Sequence, residues 1–417
     1  MSNTWELKSI AECAAEEPYA TQIGPFGNAL KAIEYTSSGI PVLRGINVNR
    51  GRFHDNDFVY IDEKKANELY KYESYPGDVL LVHKGTLGQI GLMPKIRKYD
   101  RYIMGNSMMR VRCNPNILLP EYLYYWLSSR DGRHYLLSRV SQVGVPQIQK
   151  PLTTLREAIL PVPPIDEQEA IAHILGTLDD KIELNRRMNE TLEGMARAIF
   201  KSWFVDFLPV RAKMEGRPTG LPPDIDALFP DSFQDSELGE IPKEWEVKAL
   251  RDFLELAYGR ALKKDNRRPG RIPVFGSNGQ VGWHNEKLAS GPGIIVGRKG
   301  NPGVITWSPT DFFAIDTTFY VVAKAECRSR YFLFHALIDH DLASLSADSA
   351  VPGLNRNLAY LSKQVLPPSN VLESFDMAVK CLFDQQYHND QESRVLTGIR
   401  DSLLPKLISG EIRTLAH

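Results

Sequence analysis

Pro163-Pro164-Ile165-Asp166-Glu167-Gln168-Glu169 opens one long amphipathic stretch, and Pro367-Pro368-Ser369-Asn370-Val371-Leu372-Glu373 opens another. The two openings lie 204 residues apart (367 − 163), and that offset holds from there onward. In each, a Pro-Pro pair precedes an Asx-x-x-Glu spacing, Asp166-x-x-Glu169 and Asn370-x-x-Glu373, which predicts a capping box at a helix start. Behind the first, Ile171, Leu175, Leu178, Ile182, Leu192, Ala196, Ile199 and Trp203 recur at 3–4 spacing. Phe375, Val379, Leu382, Leu396, Leu403 and Leu407 repeat the pattern more roughly behind the second. Two helices over about 167–204 and 371–408 follow, with stripes narrow enough to predict antiparallel coiled-coil pairing. Asn185 and Asn389 are equivalent by the same offset and fall at the midpoints of those stripes. Paired about a pseudo-dyad, they would meet and act as helix-register residues, because a buried Asn costs stability but fixes register. Two solvated asparagines in a frayed seam is the other reading.

Working outward, the duplication extends to the rest of the chain. Trp5-Glu6-Leu7-Lys8 recurs as Trp245-Glu246-Val247-Lys248, and Lys84-Gly85-Thr86-Leu87-Gly88-Gln89-Ile90 as Lys299-Gly300-Asn301-Pro302-Gly303-Val304-Ile305. Asn106-Ser107-Met108 corresponds to Asp316-Thr317-Thr318, and Val145-Pro146-Gln147-Ile148 to Val351-Pro352-Gly353-Leu354. Any one match arises by chance; the shared order does not. Each half reads as a globular block followed by a long helix: 1–165 and 166–207, a Pro/Gly/Asp-rich linker at 208–242, then 243–367 and 368–417. Within the blocks, strand patterns (Asp78–His83, Gly293–Gly297, Phe319–Ala323) mix with helical ones (Glu121–Ser129, Arg330–Asp339), which predicts an α+β class.

At 417 residues, 43% hydrophobic and 24% charged, the chain can bury several cores and is not of disordered composition. No apolar run approaches the roughly 18 residues of a membrane span. The first twenty residues carry four glutamates and no apolar segment, so they do not resemble a secretory signal. Cys13, Cys113, Cys327 and Cys381 form no CxxC pair, which argues against a zinc site or disulfide framework and fits a cytoplasmic chain with no membrane partner. The net charge of −1 conceals segregation. Lys+Arg against Asp+Glu runs 20 to 16 over 1–165, 8 to 16 over 166–242, 17 to 12 over 243–367 and 5 to 7 over 368–417. Two mildly basic blocks alternate with two acidic ones, a pattern suggestive of nucleic acid at the blocks.

The sequence holds no phosphate-loop, dinucleotide-fold, GxSxG or HExxH motif, and no histidine pair stands at metal-ligand spacing beside a third ligand. Asp57 with Glu63-Lys64-Lys65 has a nuclease-like order, yet such short patterns are frequent in charged sequence. Pro161-Val162-Pro163-Pro164 lacks the polar residue that amino-methyltransferases place before Pro-Pro. Catalytic residues and metal ligands are therefore expected to be absent. What appears twice is a Gly-flanked cationic turn after a strand: His83-Lys84-Gly85-Thr86 and Arg298-Lys299-Gly300-Asn301. Glycine there lets the backbone approach a phosphate while the neighbours offer cations and donors. Arg44 and Asn47, and Ser277 and Asn278, sit in further polar turns. Gln147, Asn355 and Arg356 add side chains suited to bidentate base contacts. Each alone also reads as a solvated turn; recurrence favours Lys84 and Lys299.

These residues resemble the specificity subunits of type I restriction–modification enzymes. The resemblance rests on Pro-Val-Pro-Pro-Ile-Asp-Glu-Gln (161–168), Leu-Asp-Asp-Lys-Ile-Glu-Leu-Asn (178–185) and Phe-Lys-Ser-Trp-Phe-Val-Asp-Phe (200–207). Leu-Gly-Glu-Ile-Pro-Lys-Glu-Trp (238–245), Gly-Arg-Lys-Gly (297–300) and Leu-Pro-Lys-Leu-Ile-Ser-Gly-Glu-Ile (404–412) add to it, so it spans nearly the whole chain. It implies two target-recognition domains, each reading half of a bipartite asymmetric site on double-stranded DNA, separated by two long antiparallel coiled-coil helices that dock two modification subunits. Restriction (translocase) subunits would join later. S-adenosylmethionine, ATP and Mg would be used by those partners, with no cofactor bound by this chain. The second block is shorter, 125 residues (243–367) against 165. A helix of about 38 residues spans roughly 57 Å, ample to set two domains one DNA turn apart, roughly 34–36 Å. A coiled-coil scaffold without DNA readout, or a self-sufficient methyltransferase or nuclease, are the alternatives. The first predicts no salt-dependent binding, and the second needs a catalytic cluster the sequence does not offer.

Overall fold

A computed structural model describes residues 5–141, 144–347 and 353–414. The Val351-Pro352 part of one repeat lies outside them. Two long helices dominate the α content, Ile165–Phe204 and Ser369–Ser409. Two compact units result, Met1–Glu183 with Ser393–His417, and Leu184–Glu392. The division falls half-way along both helices. Each unit therefore holds one globular block, the first half of the helix that follows it and the second half of the other helix. This is what antiparallel pairing requires: Asp179 meets Arg400 in the first unit, while Asn185 meets Asn389 and Asn189 meets Gln386 in the second.

The helix starts differ from the expected capping box. Both begin two residues earlier, at Ile165 and Ser369, so Asp166 and Asn370 lie inside the first turn. Their Oδ1 atoms accept from the next residue's amide, Glu167 and Val371, at 3.0 Å each. The second proline supplies the carbonyl that begins the helical ladder, to Gln168 at 3.0 Å and Leu372 at 3.2 Å. Asp166 still serves the helix as a negative charge at its positive end.

The stripe residues are buried or half-buried as the periodicity demands, but the seam is not apolar throughout. Ile171 and Leu175 enter the core of the first unit, while Ala196, Phe200, Trp203 and Phe204 enter that of the second. At mid-helix the seam turns polar. Asn185 and Asn389 are 1% and 3% exposed. Asn185 Nδ2 donates to Glu392 at 2.8 Å and to the Asn389 carbonyl at 3.4 Å. Asn389 Nδ2 donates to Asn189 Oδ1 at 2.8 Å, and Gln385 donates back to Asn389 at 2.8 Å.

The two globular blocks share one strand plan. In the first, a four-stranded antiparallel sheet runs Thr21–Ile23, Met108–Val111, Val79–Val82, Ile90–Leu92. In the second the order is Leu254–Tyr258, Thr318–Ala323, Gly293–Gly297, Ile305–Ser308. Beside each lies a three-stranded mixed sheet whose central strand pairs antiparallel on one side and parallel on the other. Ile40–Leu43 stands between Val59–Ile61 and Ile103–Met104, and Ile272–Gly276 between Gly279–His284 and Phe313–Ala314. Each block is closed by its ends, Glu6–Ser9 against Ile159–Val162 and Glu246–Ala249 against Lys363–Leu366. The duplication is thus complete at the level of strand pairing.

Residues 208–242 are more than a connector. Helices Leu208–Met214 and Pro223–Asp226 and a small hairpin, Phe233–Gln234 with Ile241–Pro242, occupy the stretch. Val210, Phe229 and Ile241 are buried with Trp245 in the core of the second unit. The apolar residues spaced among its prolines and glycines drive that packing. All four cysteines are free, and three are buried. Among the described residues no helix is long and apolar enough to cross a membrane, and no His/Cys/Asp/Glu cluster stands at metal-holding distance.

Candidate nucleic-acid interface

In the first unit the strand Val79–Val82 ends at a buried His83 and releases Lys84, Gly85 and Thr86 into solvent. Gly85 has φ +89°, left-handed backbone that a side chain resists, although open space surrounds it. Three separate repeats converge on this turn. His83 N–H donates to Ser107 O at 2.9 Å, Gly85 N–H to Pro146 O at 2.9 Å, and Ile148 N–H to His83 O at 2.9 Å. Lys84 consequently stands opposite Gln147 in an antiparallel bridge, and both side chains are exposed. Burial lowers the His83 pKa, and the adjoining Lys84 adds to the effect, so the imidazole is neutral and the turn's charge is carried by lysine.

The second unit builds the same junction from different side chains. Gly300 has φ +85°, Arg298 and Lys299 N–H donate to Thr317 O at 2.9 and 3.1 Å, and Leu354 N–H donates to Arg298 O at 2.9 Å. Lys299 is exposed and stands opposite Gly353, the counterpart of Gln147. Arg298 and Arg356 converge on Tyr258, their guanidinium carbons 4.9 and 4.7 Å from its ring centre. The Ser277-Asn278 hairpin tip reaches the same turn, with Asn278 Oδ1 accepting from Asn301 Nδ2.

Not every candidate reaches the surface. Asn47 is fully buried, its Oδ1 accepting from Arg44 N–H at 2.8 Å and its Nδ2 donating to the carbonyls of Asn56 at 2.7 Å and His54 at 3.3 Å. It braces the loop and has nothing left for a base. Arg44, half-buried, spends Nη2 on the Asp57 carbonyl at 2.7 Å. Asn355 caps the helix Arg356–Leu361, its Oδ1 accepting from Asn357 and Leu358 N–H, although the residue remains exposed. The nuclease-like pattern dissolves as well. Asp62 caps the helix Glu63–Glu68, and Lys65 pairs with Glu34 at 2.7 Å and Glu68 at 3.2 Å.

The sequence reading missed Tyr258, whose polar-aromatic role shows only once the two arginines fold onto it. It also missed Gln168, which is fully buried and fully satisfied. Its Oε1 accepts from Leu119 N–H at 2.8 Å, and its Nε2 donates to the carbonyls of Ile117 at 2.9 Å and Pro163 at 2.8 Å. In the sequence it stands among Asp166, Glu167 and Glu169, so nothing set it apart as the buried member of that polar run.

A family model described as "Type I restriction modification DNA specificity domain" matches residues 27–194 and 242–363, more than half of the chain and once in each half. The chain belongs to that family. It is a DNA-specificity subunit and a non-catalytic component of its complex. The HindI specificity subunit of Haemophilus influenzae is 27% identical over 88% of this chain and 94% of its own length. The MjaIX specificity subunit of Methanocaldococcus jannaschii is 25% identical over 98% and 93%. The S subunit of a type I system from M. genitalium, solved by crystallography, shares the fold with a TM-score of 0.59 at 18% identity, covering 98% of this chain and 97% of that one.

Proposed function

We propose that the two Lys-Gly turns are the centres of two DNA-reading surfaces, each engaging one half of a bipartite asymmetric site on double-stranded DNA. The observation that carries this reading is the convergence of three repeated motifs on an exposed lysine in each globular block. Lys84 and Lys299 neutralise phosphates, and the side chains around them meet base edges: Gln147 and Thr86 in the first block, Arg298, Arg356, Asn301 and Asn278 in the second. The paired helices dock two modification subunits, and Leu184, Met188, Met195, Val395 and Ile399 are exposed apolar residues on them available for such contacts. Restriction subunits join that assembly. S-adenosylmethionine, ATP and Mg are used by the partners, and this chain binds none of them.

Transplanting residues 1–165 from a relative of different specificity tests the reading, with adenine methylation mapped across the genome. One half of the bipartite motif changes and the other stays. A simultaneous change of both halves would overturn it. Binding without salt dependence would favour a scaffold with no DNA readout.

A further inference from the structure

A cavity of about 770 Å³ opens in the first unit immediately beyond the Lys84 turn, with Thr86, Gly88, Tyr124, Arg130, Arg133 and Arg400 in its wall. Its two carboxylates are already engaged. Asp179 accepts from Arg400 Nη1 at 2.7 Å and from the Tyr125 hydroxyl at 3.0 Å, and Asp401 accepts from Arg400 Nε and Nη2 at 3.0 and 2.8 Å. Arg130 and Arg133 are exposed, and among the described residues neither has an acidic partner. Arg133 lies beside the turn: a Cβ on Gly88 would stand 3.4 Å from its Nη2. Two guanidinium groups are thus left over on a concave wall that begins at Thr86.

The second unit treats the same place differently. Gly303 repeats Gly88, with φ +79° against +78°. There the chain itself covers the turn, since a Cβ on Gly303 would stand 2.2 Å from the Ala343 amide nitrogen. The helix Arg330–Asp339 ends in Asp339, with His340 and Asp341 next, whereas the helix Pro120–Ser128 of the first unit is followed by a second helix that carries Arg130 and Arg133.

We propose that this cavity takes a phosphate group of the DNA backbone flanking the half-site of the first domain, held by Arg130 and Arg133. The inference rests on the DNA-reading assignment above. Guanidinium forks match phosphate oxygens bidentately, and the cavity is continuous with the exposed Lys84–Thr86 edge. The volume lies within the roughly 300–1,000 Å³ of small-molecule sites, so a nucleotide-sized group fits. A free nucleotide or inorganic phosphate is the other source of the same chemistry.

The test uses the full chain in complex with its modification subunits on a duplex carrying its target, with binding measured against salt. Arg130→Ala with Arg133→Ala lowers affinity on every sequence and reduces the salt slope by about one, because the pair neutralises a single phosphate. Arg130→Lys with Arg133→Lys keeps the slope and recovers part of the affinity. An unchanged slope in the double alanine variant, with the wild type binding normally, overturns the cavity assignment and leaves the DNA reading intact. Wild-type binding that shows no salt dependence fails the underlying reading instead. Calorimetry with inorganic phosphate and with a nucleoside monophosphate separates the sources: Arg133-dependent binding that target DNA does not displace overturns the DNA source. Loss of modification-subunit assembly with an unchanged DNA slope also overturns it, in favour of a protein contact.

Discussion

The two globular blocks share one plan of strand pairing yet are held together by different chemistry. Glu167 and Gln168, at the start of the central helix, are buried and polar. Glu167 accepts from Thr414 N–H at 2.9 Å, and Gln168 ties the helix to three backbone groups. The positions 204 residues on are Val371 and Leu372, both buried in an apolar core. The sheets differ in the same sense. Arg110 pairs with Leu80 in the first sheet, and Tyr320 takes its place opposite Ile295 in the second. Arg110 and Asp78 are 2% and 0% exposed, and Arg112 grips Asp78 with two bonds of 2.8 and 2.9 Å. The second unit uses rings instead. Phe200, Phe204, Phe332 and Phe375 form one cluster, with Phe204 and Phe375 centred 5.0 Å apart and Phe204 and Phe332 5.1 Å apart. A duplicated plan therefore fixes which backbone groups pair and leaves open whether the space between them is filled by ions or by carbon.

Breaking each half by its own chemistry sharpens this contrast. Asp78→Asn leaves Arg110 and Arg112 without their buried carboxylate and costs about 3–5 kcal/mol in denaturant unfolding. Loss below about 1 kcal/mol would mean that the first unit does not depend on its ions.

The second unit is expected to respond to acid through His335, which stacks on Phe200 at 5.4 Å. Burial, with a smaller contribution from Arg197, lowers its pKa from 6.5 to about 4. At this residue the folded state therefore binds fewer protons than the unfolded chain between those values, and its contribution to stability falls as pH drops from about 6.5 to 4. The loss is on the order of 3 kcal/mol. His335→Phe flattens that part of the profile; a variant with the wild-type slope would refute the assignment.

Gln168→Leu copies the second half into the first. Without the surrounding apolar shell it strands the carbonyls of Ile117 and Pro163 and the Leu119 amide, at about 2–3 kcal/mol. A neutral result would show the two helix entries to be interchangeable.

Gly85→Ala and Gly300→Ala force a side chain into left-handed backbone, each costing about 1 kcal/mol of stability and shifting the adjoining lysine. Unequal costs would identify the half whose turn is the more constrained.

The smallest effect on stability, within about 0.5 kcal/mol, is expected for Lys84→Ala and Lys299→Ala. Each should nonetheless reduce the salt slope of DNA binding by about one. A response from only one of them would break the equivalence of the two turns.

Most of the architecture was legible because it is written in local spacing. The 3–4 stripes and the Gly-flanked turns are properties of neighbouring residues, which backbone geometry converts directly into helices and turns, and the 204-residue offset shows the same local patterns twice. Helix starts were misplaced by two residues because an Asx side chain reads alike at the cap and inside the first turn. The polar mid-seam was legible only at Asn185 and Asn389; Gln385 joins Asn389 from one turn away on its own helix, and Gln386 and Asn189 join because antiparallel pairing brings their turns face to face.

The sequence by itself determined the duplication, the two long helices, the strand-turn units and the exposed lysine in each. Only the tertiary structure decided that Lys84 faces Gln147 and not Arg44, that Asn47 is buried, that Arg298 and Arg356 share Tyr258, and that Arg130 and Arg133 wall a cavity. The reason is range. A side chain's neighbours along the chain are set by 3.6- and 2-residue periods, whereas its neighbours in space depend on register across strands and on which loops close over which turns. One polar residue looks like another until packing has spent its hydrogen bonds.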